Sequence, residues 1–165
     1  DGVDNGIFNS KVDDFNSYKM SKCHRDFIKE ISDACHKYGI KLGLYYSQDL
    51  DWHEKHGGGY LSHFKEDHPI YLEYAKKAID AGIQKGCIFE INTGGIYRGY
   101  HKEPYPGKIL LKYIVSQNGK VMINSDSHNT ESLDFYFDEA LQYAKECGVK
   151  EIYVLNDNTF TPMAI

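Results

Sequence analysis

Apolar and polar positions along the chain follow two different periods, and the switches between them mark the elements. Over 22–38, KCHRDFIKEISDACHKY, residues Phe27, Ile28, Ile31, Ala34, Cys35 and Tyr38 recur at helical spacing and share one stripe. Gly39 follows as the residue that closes that helix. IKLGLYYS, 40–47, is then an apolar run of strand length. A second helix is predicted from about Pro69 to Lys85, with Tyr74, Ala75, Ala78, Ile79 and Ile83 inward and Gly86 after it; CIFEIN, 87–92, is the next strand. The pattern repeats with a helix over roughly 106–117, ending at Asn118-Gly119, and the strand KVMIN, 120–124. A further helix starts near Thr130, turns Leu133, Phe137, Ala140, Leu141 and Ala144 inward and stops at Gly148. EIYVLN, 151–156, is the last strand, and a short run at 3–8 supplies one more.

Helices that alternate with strands at this period predict an α/β fold of parallel (β/α) units with right-handed crossovers. Two architectures answer that description: part of a TIM-like barrel, or an open five-stranded sheet. A complete eight-unit barrel takes roughly 200–250 residues or more, so a chain of 165 residues holds about half of one. That length suits a single α/β domain over 1–165. Five strands cut from a barrel leave two open edges. Self-association into a homo-oligomer or rearrangement into an open sheet is therefore expected.

In either architecture sites form at the carboxyl ends of the strands, and the polar, glycine-rich stretches fall there. They are QDLDWHEKHGGG after 40–47, TGGIYRGYHKEPYP after 87–92, SDSHN after 120–124 and DNTF after 151–156. The opposite loops are tight glycine turns. In SDSHN, Asp126 and His128 alternate along a segment expected to be extended, so both can reach one side. A carboxylate and an imidazole suit a divalent zinc, manganese or iron ion. The same letters also spell a turn aspartate beside an exposed loop histidine. Asp51 and His53 repeat the spacing at another strand end, either as a second metal pair or as part of a solvated loop. Trp52 between them can stack on a sugar ring or cover the rim, and His56 with glycines 57–59 suggests a mobile loop. Glu90 stands inside an apolar strand, where a charge must be paired, protonated or bound to metal unless it faces solvent. Asn92, two residues on, shares its face. Arg98 can clamp a phosphate oxygen or pair with Glu103.

Composition narrows the classes. A net charge of −5 gives no basic face for nucleic acid. Fourteen tyrosines and eight histidines suit a polar cleft such as sugar or phosphate-ester enzymes have. Four well-separated cysteines contain no C-x-x-C pair, which argues against a zinc ribbon or redox motif; Cys35 and Cys147 fall on apolar helix positions as small hydrophobes. No secretory or membrane-spanning stretch is visible, so no membrane partner and a cytoplasmic location are expected. Residue 1 is an Asp in mid-pattern, which suggests a fragment. No P-loop, G-x-G-x-x-G, H-E-x-x-H or G-x-S-x-G occurs.

Two resemblances meet in the chain. FEINTGGIYRGYHKEPYP, INSDSH and EALQYAKECGVKEIYVLN, all within about 80–165, resemble the C-terminal half of a histidinol-phosphatase of the polymerase-and-histidinol-phosphatase (PHP) superfamily. The resemblance implies a distorted (β/α)7 barrel in which metal-bound hydroxide hydrolyses a phosphomonoester. Asp126 and His128 would be metal ligands, Arg98 would hold the phosphate, and Glu90 with Asn92 would line the site. That family opens with a His-x-His strand, and no His-x-His occurs here. DGVDNGIFNSKVDDFNS and RDFIKEISDACHKYGIKLGLYYSQDLDWH resemble instead the α-L-fucosidases. This implies a (β/α)8-like barrel, a retaining mechanism with two carboxylates, and sugar contacts near Trp52 and His53. The Trp-Phe-Asp strand that carries that family's nucleophile is expected next, where the phosphatase-like half stands. The chain therefore reads as a fucosidase-like segment, 1–70, joined to a phosphatase-like one, 71–165. Three expectations follow: a metal-dependent phosphoesterase, incomplete or weak; a fucosidase-like glycoside hydrolase fragment; or a chimeric scaffold without catalysis. The corresponding partner is a small phosphate ester or a sugar.

Overall fold

A computed structural model describes residues 9, 14, 16–44 and 69–165. The chain divides into two compact units, 1–63 and 64–165. The strand expected at 3–8 and the loop holding Asp51, Trp52, His53 and His56 lie outside the described residues.

In the first unit the local signals act as expected. Helix α1, Ser17–Met20, starts where the Asn16 side chain accepts from the Tyr18 and Lys19 amides. Helix α2, Phe27–Tyr38, starts where the Asp26 carboxylate accepts the Lys29 N–H at 2.9 Å, and ends at Gly39 with φ 67°. Its apolar stripe is not a core face: Phe27, Ile28 and Cys35 are half-buried, while Ile31 and Tyr38 are exposed. The described part of the expected strand, 40–44, is not a strand. Among the described residues it has no ladder partner, and Ile40, Leu42 and Leu44 are exposed; a strand exists only through its pairing.

The second unit is built on a parallel crossover. Helix α3, Pro69–Gln84, leads into β1, Ile88–Asn92. After the short helix α4, Gly94–Tyr97, helix α5, Lys108–Ser116, returns the chain to β2, Lys120–Asn124. The strands pair in parallel with Glu90 opposite Met122 and Asn92 opposite Asn124. Alternation splits the strands into two faces. Phe89, Ile91, Val121 and Ile123 join the core with Ala75, Ile79, Leu110, Leu111 and Ile114 of the helices. Glu90, Asn92 and Asn124 take the other face and the carboxyl rim.

Several expectations are corrected here. The last helix is not continuous from Thr130: a 3-10 turn, Thr130–Ser132, precedes α6, Phe137–Glu146, and Tyr136 between them takes a left-handed φ of 65°. Leu133, expected inward, is 62% exposed. The strand β3, Glu151–Asn156, does not extend a parallel sheet; it pairs antiparallel with β4, Thr159–Ala164. Asp157 and Asn158 between them have φ 45° and 64°, the doubly left-handed turn whose twist suits a two-residue hairpin. Thus DNTF is a hairpin turn and strand start, not a rim loop. β3 lies against β2, but among the described residues there are two separate two-stranded sheets and neither a five-stranded sheet nor a closed barrel. Ala140, Tyr143 and Ala144 of α6, with Val149 and Ile152, complete the core. Cys147 is buried at the end of α6, as its apolar position suggested, and Cys35 is half-buried; both thiols are free. Among the described residues no helix is long and apolar enough to cross a membrane.

Candidate functional site

The carboxyl rim of β1 and β2 holds a carboxylate between two amides. Glu90 and Asn92 share a face because they are two apart on one strand, and Asn124 stands opposite Asn92 on the other. Asn92 Nδ2 donates to Glu90 Oε1 at 2.6 Å, and Asn124 Nδ2 donates to Glu90 Oε2 at 2.9 Å. Each amide's own oxygen accepts a backbone N–H from the loop that follows: Gly94 at 2.9 Å for Asn92, Ser125 at 3.0 Å for Asn124. Glu90 is exposed, and among the described residues no cation is paired with it.

The loops leaving the two strands are joined beside this group. The Thr93 N–H donates to the Asn124 carbonyl at 2.9 Å, and the buried Thr93 hydroxyl donates to the Phe135 carbonyl at 2.8 Å. Arg98 donates through Nη2 to Asp126 Oδ2 at 2.9 Å and through Nη1 to the Asp126 carbonyl at 3.3 Å. Asn129 donates to the Tyr97 hydroxyl at 3.1 Å. Gly94 makes that approach possible, and Gly95 a close fold within the first loop. A Cβ on Gly94 would lie 2.5 Å from the Ser125 carbonyl oxygen, and one on Gly95 would lie 2.6 Å from the Tyr105 ring.

Of the residues expected to act, Glu90 and Asn92 meet, and Arg98 meets Asp126 rather than Glu103. Glu103 lies instead 3.9 Å from Lys108. Asp126 and His128 do not alternate along an extended segment as expected: Asp126 has φ 49°, so the chain turns there. His128 is exposed. As a divalent-metal site, this pair offers a carboxylate already engaged by a guanidinium and one imidazole. Among the described residues no group of three or more His, Cys, Asp or Glu is assembled, and zinc is usually held by at least three protein ligands. Trp52 and His53 lie outside the described residues.

Asn124 is a site residue that none of the sequence motifs singles out. The signal was present: β1, β2 and β3 each end in Asn, at 92, 124 and 156. A terminal Asn can take the first N–H of the next loop on its oxygen and still offer its NH2 group across the sheet.

The alpha-L-fucosidase family model matches residues 2–93, more than half of the chain. The match runs beyond residue 70, through α3 and β1, and takes in Glu90 and Asn92. No curated protein matches the chain.

Proposed function

The chain belongs to the alpha-L-fucosidase family, and from that premise we propose that it is a glycoside hydrolase fragment acting on a fucose-type sugar, with Glu90 as its nucleophile. The βαβ unit around β1 and β2 is read as one piece of a (β/α) barrel. Within it, Ile88-Phe89-Glu90 takes the place of the Trp-Phe-Asp strand that the resemblance implies. The observation that carries the reading is the state of Glu90. It is a carboxylate in the matched segment, two residues before the carboxyl end of β1, exposed, and held by two neutral amides from that end.

A carboxylate held this way keeps its charge for a developing oxocarbenium centre. One Glu90 oxygen bonds to the anomeric carbon as the glycosidic C–O bond breaks, and the leaving oxygen takes a proton. Water then attacks the same carbon, gives up a proton and releases the carboxylate, so the configuration is retained. Trp52 and His53 lie in the matched segment and keep the sugar-contact role that the resemblance implies.

The test is turnover of an aryl fucoside, whose phenolate leaves without needing a proton donor. Release of fucose with retained configuration, followed by NMR, is the expected result. No turnover, or an inverted product, overturns the reading. Phosphomonoester hydrolysis is the competing activity, and p-nitrophenyl phosphate with added zinc, manganese or iron decides between them.

A further inference from the structure

We infer that Asn92 and Asn124 are positioning residues that together fix the plane of the Glu90 carboxylate; their catalytic purpose rests on the reading of Glu90 as nucleophile. Asn124 lies beyond the matched segment, so the family match does not supply its role.

The argument runs from backbone to carboxylate. The Asn92 N–H donates to the Tyr105 carbonyl at 2.7 Å, and Asn92 accepts from Tyr105 at 3.0 Å. The Asn124 carbonyl accepts from Thr93, and the next residue, Ser125, is buried with its hydroxyl on the Leu133 carbonyl at 2.8 Å. Both asparagine backbones are therefore fixed by loops from elsewhere in the second unit. Each amide is then oriented by the N–H that its oxygen accepts. A flipped amide would lose that bond and set its oxygen against a carboxylate oxygen. Only one orientation satisfies both ends, and it aims an NH2 group at each Glu90 oxygen.

An ionised carboxylate has about four lone-pair positions. Two are taken by the amides, one on each oxygen, so the group cannot rotate without losing both. The remaining positions belong to an exposed side chain and are available to a ligand. Both donors are neutral, so the charge is held in place without being cancelled. Arg98 does the opposite to Asp126 on the adjacent loop.

The test is Asn124→Asp, which has nearly the same shape and keeps an acceptor for the Ser125 N–H. It replaces the donor to Glu90 with a like-charged oxygen. Loss of a hydrogen bond to a charged group predicts a fall in kcat for the aryl fucoside of about ten- to a hundredfold or more, with KM within about twofold. Asn124→Ala should fall less than Asn124→Asp, because it adds no repulsion. Equal kcat in wild type and Asn124→Asp overturns the inference, as does a fall that only tracks a lower thermal midpoint. A second readout is independent of turnover: the side-chain amide proton resonances of Asn92 and Asn124 in wild type and Glu90→Gln. Both should move when the carboxylate is removed. If they move while the wild type turns over no fucoside, the clamp stands and the reading of Glu90 fails. If neither moves, the clamp itself is overturned.

Discussion

Two carboxylates stand on neighbouring parallel strands, one within β1 and one just past the end of β2, and they are held in opposite ways. Glu90, on β1, rests between the neutral amides of Asn92 and Asn124. Asp126, two residues past β2, pairs with the guanidinium of Arg98 at 2.9 Å. Both are exposed and both belong to rim segments. Their chemistry differs because of what faces them. Amides fix a carboxylate and leave it charged toward a ligand, whereas a guanidinium consumes that charge in a local pair. The pair then ties the loop after β1 to the loop after β2, which is a structural task. On the proposed reading, environment rather than residue type assigns one group to chemistry and the other to holding the rim.

The largest effect should come from Glu90→Gln. It keeps the shape but removes the nucleophilic charge, so aryl-fucoside turnover should fall by about a thousandfold or more. Thermal stability should change little. Were Asp126→Asn to abolish turnover while Glu90→Gln spared it, the two roles would be reversed. Next comes Gly94→Ala, which acts on the link between the loops. Its Cβ would meet the Ser125 carbonyl oxygen at 2.5 Å and Arg98 Nη2 at 2.9 Å. Because one of those atoms is backbone, the loops must separate, at a cost of about 1–3 kcal/mol. Denaturant unfolding measures it. An unchanged midpoint would mean that the loops are not in close contact.

Much of the framework was legible because its causes are local. Asp26 and Gly39 bound α2 through their own cap geometry. The strands at 88–92 and 120–124 are parallel because the helix between them must cross over. What stayed hidden depends on register or on distant partners. The pairing of Asn92 with Asn124 makes the clamp, and a single chain of letters does not print register. Arg98 finds Asp126 across 28 positions, while Glu103, only five residues away, looked the readier partner. The Asp157-Asn158 turn was read as one more polar rim loop, and Pro162 disguised β4, since proline counts against a strand. The left-handed Tyr136 broke a helix whose apolar spacing ran on through it.

Asp126→Asn sharpens the comparison from the stability side. The pair it breaks is partly exposed, with side-chain exposures of 30% for Arg98 and 49% for Asp126. Such pairs contribute about 0–1 kcal/mol and are screened by salt. The variant should lose no more than that at low salt and match the wild type in concentrated salt. A salt-independent loss of several kcal/mol would instead assign Asp126 to a buried network.

The smallest effect concerns a carboxylate away from the rim that extends the same contrast. Glu146 accepts from Lys108 at 3.0 Å, and that hydrogen bond holds its carboxyl below the usual carboxylate value. Lys108 is correspondingly raised, first by its hydrogen bond to Glu146. A lowered folded-state value means that the unfolded chain takes up the proton first as the solution is acidified. The contribution is therefore complete above the unfolded value of about 4.3 and is lost as pH falls through the lowered folded value. Glu146→Gln should flatten the acid limb of the thermal midpoint between about pH 5 and 3, and added salt should narrow the difference because both side chains face water. Identical acid limbs in wild type and variant would show that a cation on an exposed carboxylate contributes nothing measurable here, and the stabilising task assigned to the Arg98–Asp126 pair would weaken with it.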